Sequence, residues 1–391
     1  MPNKRILVLL YNPFTHDSRV LKGCSSLIKA GYEVDLWAMH EEGLKEKEII
    51  QDINVYRRLK LLRIKTKNAS DLFSRLYNLS LELCRGLHKL YYLYFANKRS
   101  FYKTFKDGNY SYIHCNDVAP LKFAAALKSQ SPNAKLIYDC HEYETAERPN
   151  DGFKNWLLNK IASLIETSYI KHTDSIITVS GGIADEYVRL YNIKRPAVVM
   201  NCPKYIQTPG AHDHFRKLFN ISNDQTIFLY QGGLSLGRGI DMIIEAFQKM
   251  NDPKKVVVFM GYGDLEDKVR EAAKLSNNIY YMPAVPPDIL MEYTASADIG
   301  ICCIENICLS YYYCLPNKLF EYLMAGIPAI YSNLHEMSKL CAHHKTGVVA
   351  DEISVDGLID SINKISVMNL DELRQNVNKA KKVYNWENQE K

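Results

Sequence analysis

The sequence predicts an α/β protein of two Rossmann-like, doubly wound parallel-sheet domains that face a central cleft. Three observations carry that expectation. At 391 residues the chain exceeds the size at which one hydrophobic core usually keeps growing, so two domains are expected. Short apolar, β-branched runs alternate with longer helical patterns from the start, as parallel strands joined by crossover helices do. The alternation breaks once, at Pro203 to His214, where Pro, Gly, Thr and His gather, and then restarts.

In the first half, Arg5 to Leu10, Glu33 to Ala38, Tyr112 to Cys115, Lys135 to Asp139, Ser175 to Val179 and Ala197 to Met200 read as strands. Ser18 to Ala30 reads as a helix ended by Gly31, and Ala119 to Lys128 as a compact apolar one. After the break, Thr226 to Gln231, Lys255 to Met260, Ile279 to Tyr281, Asp298 to Cys302 and Ala329 to Ser332 read as strands. Helices fit Gly239 to Met250, Leu265 to Leu275 and Lys318 to Ala325. The expected organisation is a first domain over 1–203 with a helical insert at 56–106, a linker at 204–214, a second domain over 215–370, and a C-terminal helix over 371–391 crossing back to the first domain. Ligands of open α/β sheets bind beyond the carboxyl ends of the strands, so both halves should aim their strand-to-helix loops at the cleft.

Composition narrows the function classes. Apolar residues make up 47%, which suits a globular chain, and a net charge of +5 is too mild to argue for nucleic acid by itself. The ten cysteines form no Cys-x-x-Cys, and Cys302 and Cys303 are adjacent, so they read as small buried hydrophobes in a reducing cytoplasm. The opening MPNKRILVLLYNPF stops its apolar run at Tyr11, Asn12 and Pro13 and reads as a strand, not a signal peptide. No run approaches the ~18 apolar residues of a membrane span.

Three segments carry chemistry. In LPNKLFEYLMAGIP, Pro316 suits the first turn of a helix, Gly326 the residue past its end, and Pro328 forbids continuation. Leu319, Phe320, Leu323 and Met324 can face the core, with Asn317, Lys318 and Glu321 on the other side near the helix N-terminus. Free amides and the Lys318 charge there favour an anion such as a diphosphate, and an ionised Glu321 can accept from both hydroxyls of a ribose diol. A solvated polar helix face fits the same spacing equally well.

In FLYQGGLSLGRGIDMIIEAF a strand runs into Gly232 and Gly233, and a helix starts near Gly239 behind Arg238. Such glycines admit a ligand to the backbone and the cation can neutralise phosphate, although a simple tight turn is the competing reading. Neither a Walker loop nor Gly-x-Gly-x-x-Gly is present. In LIYDCHEYETAE, His141 and Glu142 follow a strand in a loop position where a histidine serves as acid, base or hydrogen-bond donor, or is merely structural. No regularly spaced His or Cys partner and no Asp-x-Asp occurs, so no metal and no other cofactor is expected; Arg238, Lys318 and the helix N-terminus must hold any diphosphate.

Together these pieces resemble the GT-B glycosyltransferases, in particular the family 4 type. The resemblance spans nearly the whole chain through YNPFTHDSRVLK, YIHCND, YDCHE, ITVSGGIADEY, MNCP, the Gly232 turn, GYGDLE from Gly261, ASADIGI and LPNKLFEYLMAG. It implies a nucleotide-sugar donor, with Glu321 on the ribose, and Arg238 and Lys318 on the diphosphate. Gly232, Gly233, Gly261, Gly263, Asn317 and Leu319 would complete the donor side. It implies His141 near the donor sugar, and places Phe14, Thr15, His16, Asp17, Arg19, Asn116, Asp117 and Glu142 on the acceptor side. Retention of configuration is usual in that family. Two positions depart from it: Tyr313 stands where many members carry a sugar-contacting glutamate, and Gly233 with Leu234 where many carry a cation.

From Tyr56 to Lys106 thirteen Lys or Arg face two acids, Asp71 and Glu82, a surplus of +11 that leaves the rest of the chain net acidic. Ten aromatics interleave with that charge, which points to peripheral docking on an anionic membrane surface at the inner face of the cell membrane. A helix pair packed on the first sheet is the alternative, and no nucleic-acid motif accompanies the charge. The resulting expectation is a glycosyltransferase acting on a glycan or polyprenyl-linked acceptor in surface polysaccharide assembly. A nucleotide-sugar 2-epimerase and a non-catalytic scaffold of the same fold are the alternatives.

Overall fold

The structure is a computed structural model, and it describes residues 4–15, 17–60, 108–149, 152–207 and 212–391. His16 and nearly all of the basic insert at 56–106 therefore lie outside the described residues. The described chain forms two compact units, one from 1–145 with 157–177 and the other from 146–156 with 178–391. The stretch from Thr178 to Pro203 is grouped with the second unit by its contacts, although it supplies the last strand of the first sheet. Its contacts explain why: Gly182 lies under the Tyr313 ring, and its amide donates to Glu336.

The first sheet is assembled from β1 (Arg5–Leu9), β2 (Glu33–His40), β3 (Lys47–Ile50), β4 (Ile53–Lys60), β5 (Tyr112–Asn116), β6 (Lys135–Cys140), β7 (Ser175–Thr178) and β8 (Ala197–Val198), in the order β3-β4-β2-β1-β5-β6-β7-β8. β1 is parallel to both β2 and β5, with Ile6 opposite Val34 and Tyr112. Its side chains from Ile6 to Leu9 are buried, which is why RILVL reads as an unbroken apolar run. The antiparallel pair β3 and β4 escaped the sequence reading because β3 lies at the sheet edge with alternate residues exposed, leaving no apolar run to see.

Helix Ser18–Lys29 crosses between β1 and β2. Asp17 caps it, its carboxylate accepting from the Val20 amide at 3.0 Å. Helices Leu121–Gln130, Gly152–Tyr169 and Gly181–Tyr191 follow in the later connections.

The second sheet contains β9 (Thr226–Gly233), β10 (Lys255–Tyr262), β11 (Ile279–Met282), β12 (Ile299–Cys302), β13 (Ala329–Tyr331) and β14 (Gly347–Val349), in the order β11-β10-β9-β12-β13-β14. All its pairings are parallel. The strand order reverses between β9 and β12, the switch point of a doubly wound sheet. Both faces are covered. Phe228, Tyr230 and Phe259 pack with helices Ile240–Met250 and Val355–Ser366 on one side, and Leu229, Val256 and Val258 with helix Asn317–Ala325 on the other.

Two expectations are corrected here. Gly232 and Gly233 are still strand, paired with Gly261 and Tyr262, so the turn begins only at Leu234. The backbones approach so closely that a Cβ at Gly261 would lie 1.9 Å from the Gly232 carbonyl oxygen, and only glycine lets the pairing continue. The C-terminal stretch is two helices, Leu370–Ala380 and Trp386–Gln389. The second is held to 203–205, the Trp386 amide donating to the Pro203 carbonyl at 2.8 Å and the Tyr205 amide to the Glu387 carboxylate at 2.9 Å.

The nine described cysteines are free thiols, seven of them buried, and burial pushes Cys302 and Cys303 up to about 12. Among the described residues no helix is long and apolar enough to cross a membrane.

Candidate functional site

Helix Asn317–Ala325 sits at the switch point of the second sheet. Pro316 precedes it in extended geometry and gives its N-terminus no side-chain cap, while Gly326 closes it with φ 82°. Tyr322 keys it to the sheet: the buried hydroxyl lies 2.9 Å from the Leu229 carbonyl on β9 and 3.2 Å from that of Ile301 on β12, and accepts from the Gln231 amide. Its ring lies against Gly300, where a Cβ would come within 2.5 Å of a ring carbon. Leu319, Phe320, Leu323 and Met324 are fully buried, as their spacing predicts.

Lys318 does not lie on a solvated helix face, the competing reading of its spacing. The residue is 7% exposed, its ammonium 3.6 Å from the centroid of the Tyr230 ring and without a hydrogen-bond partner among the described residues. A Cβ at Gly232 would lie 3.9 Å from that nitrogen, so the cation faces the end of β9. Burial drives its pKa down to about 8, with the Arg238 charge adding to the shift and Glu321 opposing it.

Glu321 is held from behind by a residue the sequence reading missed. Gln231, 2% exposed, donates to the Glu321 carboxylate at 2.5 Å and accepts from the Thr294 hydroxyl at 2.8 Å. A glutamine inside the apolar run TIFLYQGG was the available signal, since a buried amide needs such partners. Asn317 is exposed and accepts from the Asn201 side chain at 2.9 Å. Arg238 is half-buried, its guanidinium 4.8 Å from the Tyr311 ring. Gly263 carries backbone packing as Gly261 does: a Cβ there would lie 2.4 Å from the Leu234 carbonyl oxygen. Tyr313 turns its ring over Gly182 and meets His335 edge-on at 5.5 Å.

In the first unit the candidates gather at the carboxyl ends of β1, β5 and β6. His141 Nε2 lies 3.1 Å from Asn116 Oδ1 and 3.7 Å from Asp139 Oδ2, and Nδ1 lies 3.6 Å from Asp117 Oδ2. Arg19 is 6% exposed and donates to Asp139 at 2.7 Å. Asp139 is a second residue the sequence reading missed, although an acid inside the strand run LIYDC marks it. Its carboxyl is held well below the usual range despite burial, by Arg19, His141 and His114. Burial opposes a charge on His141, yet Asp117 and Asp139 raise its pKa.

The remaining acceptor-side candidates divide. Phe14 is buried in the core with φ 57°, Asp17 is the helix cap, and Thr15 and Glu142 are exposed. His212, His214 and Glu292 bring ligand atoms within 4.8 Å of one another, but the imidazole planes of His212 and His214 are stacked 15° from parallel.

The glycosyl transferases group 1 family matches residues 212–383, and the glycosyltransferase family 4 family matches residues 19–203. The chain is 22% identical over 285 residues to the lipopolysaccharide 1,2-N-acetylglucosaminetransferase of Salmonella typhimurium, which covers 68% of each chain. Its fold is similar to sucrose-phosphate synthase of Thermosynechococcus elongatus, with TM-score 0.75, 16% identity, and 99% and 96% of the two chains covered. It is also similar to HepE of Anabaena solved with UDP, with TM-score 0.68, 13% identity, and 99% and 97% covered. The chain is a GT-B glycosyltransferase of the family 4, or glycosyl transferases group 1, type.

Proposed function

We propose that the protein transfers a sugar from a nucleotide-sugar donor to a glycan or lipid-linked acceptor in surface polysaccharide assembly, with retention and without a divalent metal. One observation carries the donor side: a buried, unpaired ammonium, Lys318, stands at an uncapped helix N-terminus beside the glycine end of β9. Such a group supplies the charge that an ion would bring to a diphosphate. Glu321, steadied by Gln231, is one turn further along and offers acceptors to a ribose diol. UDP in HepE and the glycan chemistry named for the Salmonella relative support this reading.

In this scheme the acceptor hydroxyl attacks the face from which the diphosphate departs, and the leaving group takes its proton. The protein holds the two reactants and stabilises negative charge on the departing phosphate through Lys318 and Arg238. Arg238→Ala and Lys318→Ala are therefore expected to lower turnover by 100-fold or so each while changing acceptor KM little. Unchanged turnover in both variants refutes the assignment, and the anomeric configuration of the product, read by NMR, tests retention.

A further inference from the structure

We infer that His141 works as an imidazolium, and that Asp139, itself anchored by Arg19, is the positioning residue that fixes its charge and ring orientation. The inference rests on the reading of His141 as a donor-facing group, and it narrows the acid, base or donor roles open to a histidine there.

The geometry favours two ring protons, through one hydrogen bond at Nε2 and an ion-pair distance to a carboxylate on each side of the ring. Nε2 faces Asn116 Oδ1 at 3.1 Å and Asp139 Oδ2 at 3.7 Å, and Nδ1 faces Asp117 Oδ2 at 3.6 Å, so both nitrogens look at acceptors. The Asn116 amide nitrogen is engaged with the Leu9 carbonyl at 3.1 Å, which fixes the amide oxygen towards the ring. A neutral imidazole has one donor and would set a lone pair against one of these oxygens; an imidazolium satisfies both sides.

Of the surrounding charges, Asp117 and then Asp139 favour the charged ring, and Arg19 opposes it. Asp139 is buried between three basic groups, Arg19 at 2.7 Å, His114 at 3.4 Å and His141, and Arg19 keeps it ionised without a proton from the ring. Beyond Asp117 lies Glu144, which accepts from the Val118 amide at 2.7 Å; burial, then Asp117, holds its carboxyl well above the usual range. Glu166 on helix Gly152–Tyr169 is occupied by the Tyr138 hydroxyl at 2.6 Å.

The backbone is fitted to the same end. Asp117 adopts φ 65°, uncommon for a residue with a side chain, and is held there by its amide bond to the Asp139 carbonyl at 2.9 Å. Its carboxylate accepts from the His141 amide at 3.1 Å. Strain of this kind is kept where a side chain must be aimed.

An imidazolium at this place donates hydrogen bonds and stabilises negative charge, and it takes no proton from an acceptor hydroxyl. The test is ¹⁵N–¹H histidine NMR of the full-length protein, with the His141 signals assigned by their loss in His141→Asn. The expected result is a doubly protonated ring at neutral pH. Asp139→Asn and Asp117→Asn should each lower its titration midpoint, and Asp139→Glu should restore part of the shift. A ring that is neutral at pH 7 in the wild type, or a midpoint unmoved in both Asn variants, overturns the inference. Transferase assays separate the two readings: a charged ring with unchanged turnover in His141→Asn removes the donor-facing role and leaves the charge assignment standing.

Discussion

Lys318 is a lysine whose surroundings oppose its charge. Its pKa lies at about 8 in the fold against 10.5 outside it, so the sign of its contribution follows. The penalty on the charged form is fully present below pH 8 and is relieved as pH rises towards 10.5. A bound diphosphate reverses the bias and draws a proton onto the amine. Nucleoside diphosphate binding at pH 8 should therefore take up about half a proton per site, measured by calorimetry in buffers of different ionisation enthalpy. Lys318→Met is expected to stabilise the ligand-free protein at pH 7 by about 1–3 kcal/mol in denaturant unfolding while abolishing that uptake. A stabilised variant that still binds would separate the buried charge from the ligand.

At the scale of elements, helix Asn317–Ala325 holds its place because the sheet beneath it is built to receive one tyrosine. Gly300 leaves room for the Tyr322 ring, and the hydroxyl reads carbonyls on both strands of the switch point. Gly300→Ala would place a methyl 2.5 Å from that ring, and overpacking of this kind costs about 1–3 kcal/mol. A lowered Tm with weakened diphosphate binding is the expected pair of outcomes; a lowered Tm with intact binding would show that the helix holds its place without Tyr322.

This is also the level at which the sequence was most readable. Helix Asn317–Ala325 was visible from Pro316, Gly326 and Pro328, and the long strands from their apolar runs. β3 was not, because an edge strand with alternate residues exposed has no run. The burial of Lys318 was not legible, because helical spacing gives a side chain's angle about the axis but not whether a ring such as Tyr230 roofs it. Gln231 and Asp139 were passed over because a polar residue in a strand earns its meaning from partners in other segments, Glu321 and Thr294 for the first, Arg19 and His114 for the second.

For the whole molecule, each unit presents its candidate groups at the carboxyl ends of its own parallel strands. The second unit carries the buried Lys318 ammonium at a helix N-terminus, and the first a chain of paired charges from Arg19 to Asp117. The surplus of +11 between Tyr56 and Lys106 distinguishes the first half further. If it serves to hold the enzyme on a bilayer, the protein should float with anionic liposomes at low salt and be released as ionic strength rises, each cation near the surface adding about 1 kcal/mol. Absence from the floating fraction at low salt would refute peripheral docking and leave the acceptor to be met in solution.

The central claim is that the second unit grips a nucleoside diphosphate through Lys318 and Glu321. Calorimetric titration of the full chain with a panel of nucleoside diphosphates and nucleotide sugars, repeated with Lys318→Ala and Glu321→Gln, tests it most directly. The account predicts saturable binding of at least one nucleotide by the wild type without added metal, weakened at least tenfold by either substitution. Wild-type binding that both variants retain at full strength would contradict it.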